Sequence, residues 1–513
     1  MASKSVVFYA EAMKYGISRS LGWVLLALLA VFIPVSGIHA EQYPSTLAGT
    51  WEGTLQAGAV SLRVVFHMVV LERRWTGTMD SPDQGVRGIP ISRIDCDAGS
   101  IILEIASIGG VYSGTIDANG IAIEGFWKQS GMTLPLRLRK TGQPEGGSAG
   151  NAPSLQPSAA GSREGNEPPG VSDRKFFTRE VRFTSLSAGI TLAGTMTIPE
   201  GDGPFPAVVL ITGSGPQDRD ETILGYKPFL VIAEHLARHG IASLRCDDRG
   251  VGASEGDFQT ATTFDFADDA EAALKYLASQ AQVDSRRLGL VGHSEGGIIA
   301  AMVAARQATA RFAILLASPG IRGDRLLLLQ NAALGRASGL SAEGIEQANT
   351  INRRLYDLAM GAVPDDAARN RIIAEIMAGM TAGASLPETE VEGLRQQASM
   401  IADQLLAPWM RVFRALDPAD YLRQLAIPIL ALNGEKDLQV PVEENLAAIE
   451  AALEQSRSPS WKLVRLPGLN HLFQHAETGL PSEYGLLQES FAEDALQQMT
   501  DWILALPSAS HGG

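Results

Sequence analysis

Five short strand-like stretches, most of them largely apolar, constrain this chain more than any other feature: PAVVLITG from Pro206, ASLRCDD from Ala242, RLGLVGHS from Arg287, RFAILLAS from Arg311 and IPILALNG from Ile427. A strand that is apolar on both sides must be covered on both sides. Segments of helical period, FLVIAEHLARHG and DFADDAEAALKYLASQ, fall between the early ones. This alternation predicts a mostly parallel sheet with helices on both faces, in which ligands bind at the carboxyl ends of the strands. VRFTS and ITLAGTMTIP precede it as a hairpin.

Strand character stops between about residues 319 and 424. RLLLLQNAALGRA, SAEGIEQANTINRRLYDLAM, DDAARNRIIAEIMAGM, EVEGLRQQASMIADQLLAPWMRVFRAL and DPADYLRQL read as successive helices. The sheet pattern then resumes with IPILALNGEKD, a helix to about Gln455, SWKLVRLPGLNH and a last helix LQESFAEDALQQMTDWILAL. Because the sheet needs chain from both sides, the helical run is expected as a lid inserted into a domain spanning residues 173–513.

Upstream the pattern differs. From Gly49 to Thr141, GTWEGTLQ, VSLRVVFHMVV, RWTGTMDSP, IPISRIDC, SIILEIAS, VYSGTID, GIAIEGFW and MTLPLRLRKT alternate and are punctuated by Gly, Asp, Asn and Pro, with DANG at Asp117–Gly120 a hairpin signal. About eight strands predict a small antiparallel β-barrel over residues 41–141, lipocalin-like in its order and in its early Gly49-Thr50-Trp51, with Trp51 as an end plug. Residues 142–172 are rich in Gly, Pro and Ser and nearly free of large apolar side chains. They are expected to be a flexible linker.

The first 40 residues hold Lys14 and Arg19, then an apolar run from Leu21 to Gly37, then a small residue, Ala40. These are the ingredients of a secretory signal peptide, so the protein is expected to be exported, periplasmic or secreted, with retention as a membrane anchor the alternative. Cys96 and Cys246 fall in different expected domains and are read as free thiols. A formal net charge of −15 without a basic run argues against nucleic acid or an anionic membrane surface as partner. A neutral small molecule fits better, and no metal-ligand spacing is present.

LGLVGHSEGG places Gly-x-Ser-x-Gly where a strand gives way to a helix. Glycines at 292 and 296 permit the tight turn that lifts the Ser294 hydroxyl above a sheet. A serine hydroxyl needs a base to take its proton and a carboxylate to orient that base. Asp437 follows the strand in IPILALNGEKDLQVP, and His471 follows the strand in SWKLVRLPGLNH. Glu435 and His475 are the rival acid and base, and His293 reads as structural. The oxyanion that forms at a carbonyl needs two N–H donors. The amides of Ser214, in LITGSGPQDRD, and Glu295 are the candidates. The DDRG turn at Asp247–Gly250 reads as an ion-pair corner, there being no nearby histidine to complete a metal site.

GHSEGG, ITGSGPQDRDE, RCDDRGVGASEG, NGEKDLQVP and GLNHLFQ, in this order, resemble the α/β-hydrolase carboxylesterases, within the group that includes serine-peptidase-like hydrolases. The resemblance covers roughly Phe176 to Leu506. It implies an α/β-hydrolase fold, Ser294, Asp437 and His471 as catalytic triad, short to medium acyl esters as substrates, and no cofactor. A peptidase of the same fold, or a ligand-binding protein on a hydrolase scaffold, are the alternatives. Leu328, Leu329, Trp409 and Met410 are candidates for an acyl-facing lid surface, with plain lid core as the other reading.

Overall fold

The computed structural model describes residues 47–142 and 175–507, less 48, 58–59, 72–73, 82–85, 92, 98, 106–109, 118–119, 130–131, 362–363, 382–387 and 486. The expected signal peptide at 1–40 and nearly all of the expected linker lie outside the described residues. The chain separates into two compact units, one built on an antiparallel sheet and one on a mixed sheet.

The first unit contains β1 (Gly49–Ala57), β2 (Val60–Leu71), β3 (Arg74–Ser81), β4 (Val86–Pro90), β5 (Arg93–Asp97), β6 (Ser100–Ile105), β7 (Gly110–Ile116), β8 (Ala122–Gln129) and β9 (Met132–Gly142). Their order is β4-β3-β2-β1-β9-β8-β7-β6-β5, antiparallel throughout. First and last strands pair, which brings the meander round on itself. The ladder stays open between β4 and β5, although β3 and β5 come into contact. IPISRIDC, expected as one strand, is therefore two. β4 ends at Pro90, Ile91 still donates to the Gly77 carbonyl of β3 at 2.9 Å, and β5 begins at Arg93.

Inside, Trp51, Phe66, Met68, Leu103, Tyr112 and Ile123 are fully buried. The two polar handles among them are satisfied on backbone. The Trp51 indole N–H donates to Leu47 O at 3.0 Å, and the Tyr112 hydroxyl lies 3.0 Å from Ile123 O and 3.1 Å from Leu136 O. Trp51 belongs to the apolar core of this unit; nothing here assigns it to one end.

The second unit begins with a hairpin, β10 (Phe176–Ser185) and β11 (Ile190–Pro199). It continues through β12 (Phe205–Ile211), α1 (Pro228–Arg238), β13 (Ala242–Cys246), α2 (Thr263–Ala278), β14 (Val283–His293), α3 (Glu295–Arg306) and β15 (Phe312–Leu316). The lid helices follow: α4 (Gly323–Ala337), α5 (Ala342–Gly361), α6 (Asp366–Thr381), α7 (Glu388–Leu406), α8 (Pro408–Ala415) and α9 (Ala419–Leu422). The chain then returns through β16 (Ile429–Gly434), α10 (Val442–Leu453), β17 (Trp461–Leu466), α11 (Pro481–Tyr484) and α12 (Glu493–Ala505).

The strand order is β10-β11-β13-β12-β14-β15-β16-β17, parallel from β13 onward. This is the α/β-hydrolase arrangement expected from the sequence. β12, β15 and β16 are buried along their whole length. Two expectations need correction. The helix expected across EVEGLRQQASMIADQLLAPWMRVFRAL breaks at Ala407, because Pro408 cannot donate to the preceding turn and pushes Ala407 to φ −55°, ψ 140°. The last helix starts only at Glu493.

Candidate active site

The carboxyl ends of β12, β14, β16 and β17 converge, and each leads into a loop with a chemical group on it. After β14 the chain turns into α3 within one residue, and that residue, Ser294, takes φ 54° and ψ −120°. A non-glycine at such a φ is strained, and the strain holds only where neighbours over-determine the backbone. Here they do. A Cβ on Gly292 would stand 1.9 Å from Gly296 O, and one on Gly296 would stand 2.2 Å from Ile211 O. The two glycines of the motif thus let β14, α3 and β12 approach closely around the serine.

Asp437 lies in the loop after β16, buried. One carboxylate oxygen accepts the Gln439 and Val440 amides, each at 2.8 Å, and the other accepts Nδ1–H of His471 at 2.8 Å. With Nδ1 committed as donor, Nε2 of His471 is left as the acceptor face of the ring. The loop after β17 is shaped by Asn470, whose side-chain oxygen accepts the Leu472 and Gln474 amides at 3.0 and 2.9 Å. The serine turn and this loop meet: the His293 ring centroid is 4.8 Å from that of His471. The rivals stand elsewhere. Glu435 is exposed, and His475 pairs at the surface with Glu489 at 2.7 Å.

The loop after β12 carries Thr212 to Glu221. A Cβ on Gly213 would lie 3.2 Å from Cβ of Ser294, so this backbone runs directly beside the serine. The Gly213 amide is committed to Glu221 at 2.7 Å. The amides of Ser214 and Glu295 donate no hydrogen bond among the described residues; the second is the first N–H of α3, which no intrahelical carbonyl can reach.

Three features of this region were not legible in the motifs. Asp248 accepts the Thr212 hydroxyl at 2.8 Å and the Gln217 amide at 2.9 Å, so it clamps the loop after β12. Burial drives its carboxyl well above the usual range. Glu295, two percent exposed, accepts the Thr263 hydroxyl at 2.6 Å and the Trp409 indole N–H at 2.9 Å, and forms no ion pair among the described residues. Burial pushes its pKa up to about 7 against the two hydrogen bonds, which lower it. Glu221 is the third, joining the Gly213 amide to His293. Only spatial neighbours identify these roles, since all the partners but Gly213 are remote in sequence.

The DDRG turn is an ion-pair corner. Arg219 grips Asp247 with two bonds at 2.9 and 2.7 Å, and Arg249 grips Asp269 at 2.7 and 2.8 Å. In the lid, Met410 is fully buried and Trp409 is engaged with Glu295, so both belong to the packing of the lid on its base; Leu328 and Leu329 are half-buried. A cavity of about 50 Å³ lies under the loop after β12, with Thr212, Gly213, Asp248, Phe266, Glu295 and Ile299 in its walls. Ser294 and His471 do not line it. Cys96 and Cys246 are free thiols, and burial raises Cys96 to about 11. Among the described residues, no helix is long and apolar enough to cross a membrane.

A family model described as "Serine aminopeptidase, S33" matches residues 225–375, a span that holds Ser294 but not Asp437 or His471. "Esterase EstD" of Thermotoga maritima is 29% identical over 299 residues, which cover 57% of this chain and 61% of the relative. The chain thus spans about 61% of that relative's length. Among solved structures, the alpha/beta hydrolase GrgF from Penicillium sp. sh18 is 20% identical with a TM-score of 0.40, covering 64% of this chain and 98% of that one. Est1E from Butyrivibrio proteoclasticus, solved with ferulic acid, is 18% identical with a TM-score of 0.37, covering 63% and 96%.

Proposed function

We propose that this chain, whose mixed sheet has the α/β-hydrolase strand order, is an exported serine hydrolase that cleaves carboxylic esters of short to medium acyl chain. The observation that carries the reading is the Asp437–His471 pair at 2.8 Å beside a strained serine turn. In this mechanism His471 Nε2 takes the hydroxyl proton as Ser294 attacks the ester carbonyl. Asp437 fixes the tautomer and stabilises the imidazolium as it forms. The Ser214 and Glu295 amides receive the oxyanion, and His471 then delivers its proton to the leaving alcohol. Water, activated by the same histidine, frees the acyl group.

The esterase assignment is supported by the similarity to EstD. The serine aminopeptidase family model favours a second reading, hydrolysis of an amide at a peptide's amino end. A panel of p-nitrophenyl esters set against aminoacyl anilides separates them. Turnover of the C2 to C8 esters with none of the anilides is the expected result, and the reverse pattern replaces the esterase with the peptidase. Leu328→Ala and Leu329→Ala probe the lid: as acyl contacts they shift the chain-length profile by about 10- to 200-fold per methylene-sized contact. Export is tested by the amino terminus of the protein recovered outside the cytoplasm, expected at Glu41.

A further inference from the structure

His293 precedes the serine and lies 5% exposed among three of the site's loops. Its Nδ1 is 2.9 Å from Oε1 of Glu221, and its Nε2 is 3.0 Å from the carbonyl oxygen of His471. A backbone carbonyl can only accept, so Nε2 carries a proton. That leaves one proton between Nδ1 and Glu221. Imidazole is the more basic partner by roughly two pKa units. The same Oε1 already accepts the Gly213 amide at 2.7 Å, which stabilises the carboxylate. Both arguments place the proton on the ring.

We propose that His293 is a positioning residue that works as a buried imidazolium, using its two N–H groups to hold the loop after β12 and the His471 loop in register with Ser294. The proposal rests on the serine-hydrolase reading above for its catalytic consequence. Through Glu221 the ring reaches Gly213, whose backbone borders Ser294 and leads into the Ser214 amide; through the His471 carbonyl it reaches the general base. One side chain thereby links nucleophile, oxyanion donors and base. Glu221 and His293 are both buried, so they act through the groups they hold.

The titratable groups that face this ring are Glu221 from the loop after β12, Asp437 from the loop after β16 and His471 from the loop after β17; Phe473 supplies an aromatic edge at 6.3 Å. Glu221 in turn acts on Asp248. Burial by itself lowers the pKa of His293, but the Glu221 carboxylate, its hydrogen bond, the His471 carbonyl and Asp437 outweigh it and hold the net value above the ordinary one. The native state therefore binds this proton more tightly than the unfolded chain. Its stabilising contribution is full below the unfolded pKa of about 6.5 and is lost as pH rises through the folded value. Loss of the proton also removes one of the two tethers.

The test uses the full chain labelled with 15N-histidine, the His293 signals being those absent from His293→Asn. At pH 7.5 both ring nitrogens are expected to be protonated; one bare nitrogen at that pH overturns the proposal. In kinetics, His293→Asn keeps only the donor toward Glu221 and His293→Gln only the donor toward the His471 carbonyl. Each is expected to lower kcat on a short p-nitrophenyl ester by about 10- to 100-fold with KM nearly unchanged, the cost of a small misplacement of reacting groups. Glu221→Gln keeps an acceptor but removes the counter-charge, and is expected to move the alkaline limb of its kcat profile to lower pH. Wild-type kcat and an unshifted profile in these variants overturn the positioning role. Labelling by a fluorophosphonate keeps the two readings apart: wild-type protein that fails to react at Ser294 refutes the serine-hydrolase reading, whereas normal labelling with a neutral His293 refutes only the present one.

Discussion

The interior of the antiparallel unit and the rim of the mixed sheet bury polar atoms for different ends. In the first, Trp51 and Tyr112 turn their polar handles onto nearby carbonyls, and the surrounding core is otherwise apolar. In the second, Asp437, His471, His293, Glu221 and Glu295 are buried, and Asp248 half-buried, at the ends of strands or in the turns and loops that follow. All five positive-φ non-glycine residues among those described also lie there: Glu221 at 51°, Leu224 at 54°, Ser294 at 54°, Ala317 at 47° and Phe473 at 57°. Buried charge and backbone strain both cost stability. Their concentration on one rim, with none of the strain in the other unit's described residues, marks where the chain has something other than packing to do.

Substitutions can break this contrast. Ser294→Ala is expected to lower ester turnover by about 10⁴- to 10⁶-fold while leaving the unfolding transition near wild type, because the hydroxyl contributes reactivity and little packing. Steady-state rates with thermal melts check it, and retained turnover would remove the nucleophile from Ser294. Asp437→Asn should follow at about 10⁴-fold, since the amide can hold the ring in the wrong tautomer.

Glu295 sharpens the contrast through pH. Its folded pKa of about 7 lies above the ordinary carboxyl value of 4.5, so the native state holds a proton that the unfolded chain releases. Stability is then greatest below 4.5 and falls as pH rises to about 7. A shift of that size corresponds to about 3 kcal/mol. Urea unfolding of wild type and Glu295→Gln at pH 5 and pH 8 should show the wild type losing most of this amount relative to the variant; equal pH dependence in both would refute the burial argument.

The smallest effect belongs to the other unit. Trp51→Phe keeps the ring but leaves the Leu47 carbonyl without its donor, and is expected to cost about 1 to 3 kcal/mol in the stability of that unit. Ester turnover by the same protein should not change. A parallel fall in kcat would show that the antiparallel unit bears on the chemistry.

The eight-stranded sheet, its hairpin start, the helical insertion after β15 and the strand-turn-helix setting of Ser294 were legible in the sequence, because hydrophobic period and glycine spacing are local signals. The proline at 408 is also a local signal, and there one expected helix is two. The Gly-x-Ser-x-Gly turn announced itself for a steric reason that any five-residue window contains: only glycine at 292 and 296 admits the neighbouring backbone. Asp437 and His471 could be chosen by order along the chain, but their 2.8 Å bond exists only in the fold. The links from Trp409 to Glu295, from Asp248 to Thr212 and from Glu221 through His293 to the His471 carbonyl belonged to tertiary structure alone. They span from 36 to 178 residues of sequence. A carboxylate's neighbours and its burial set its proton, and neither is written in the residues beside it.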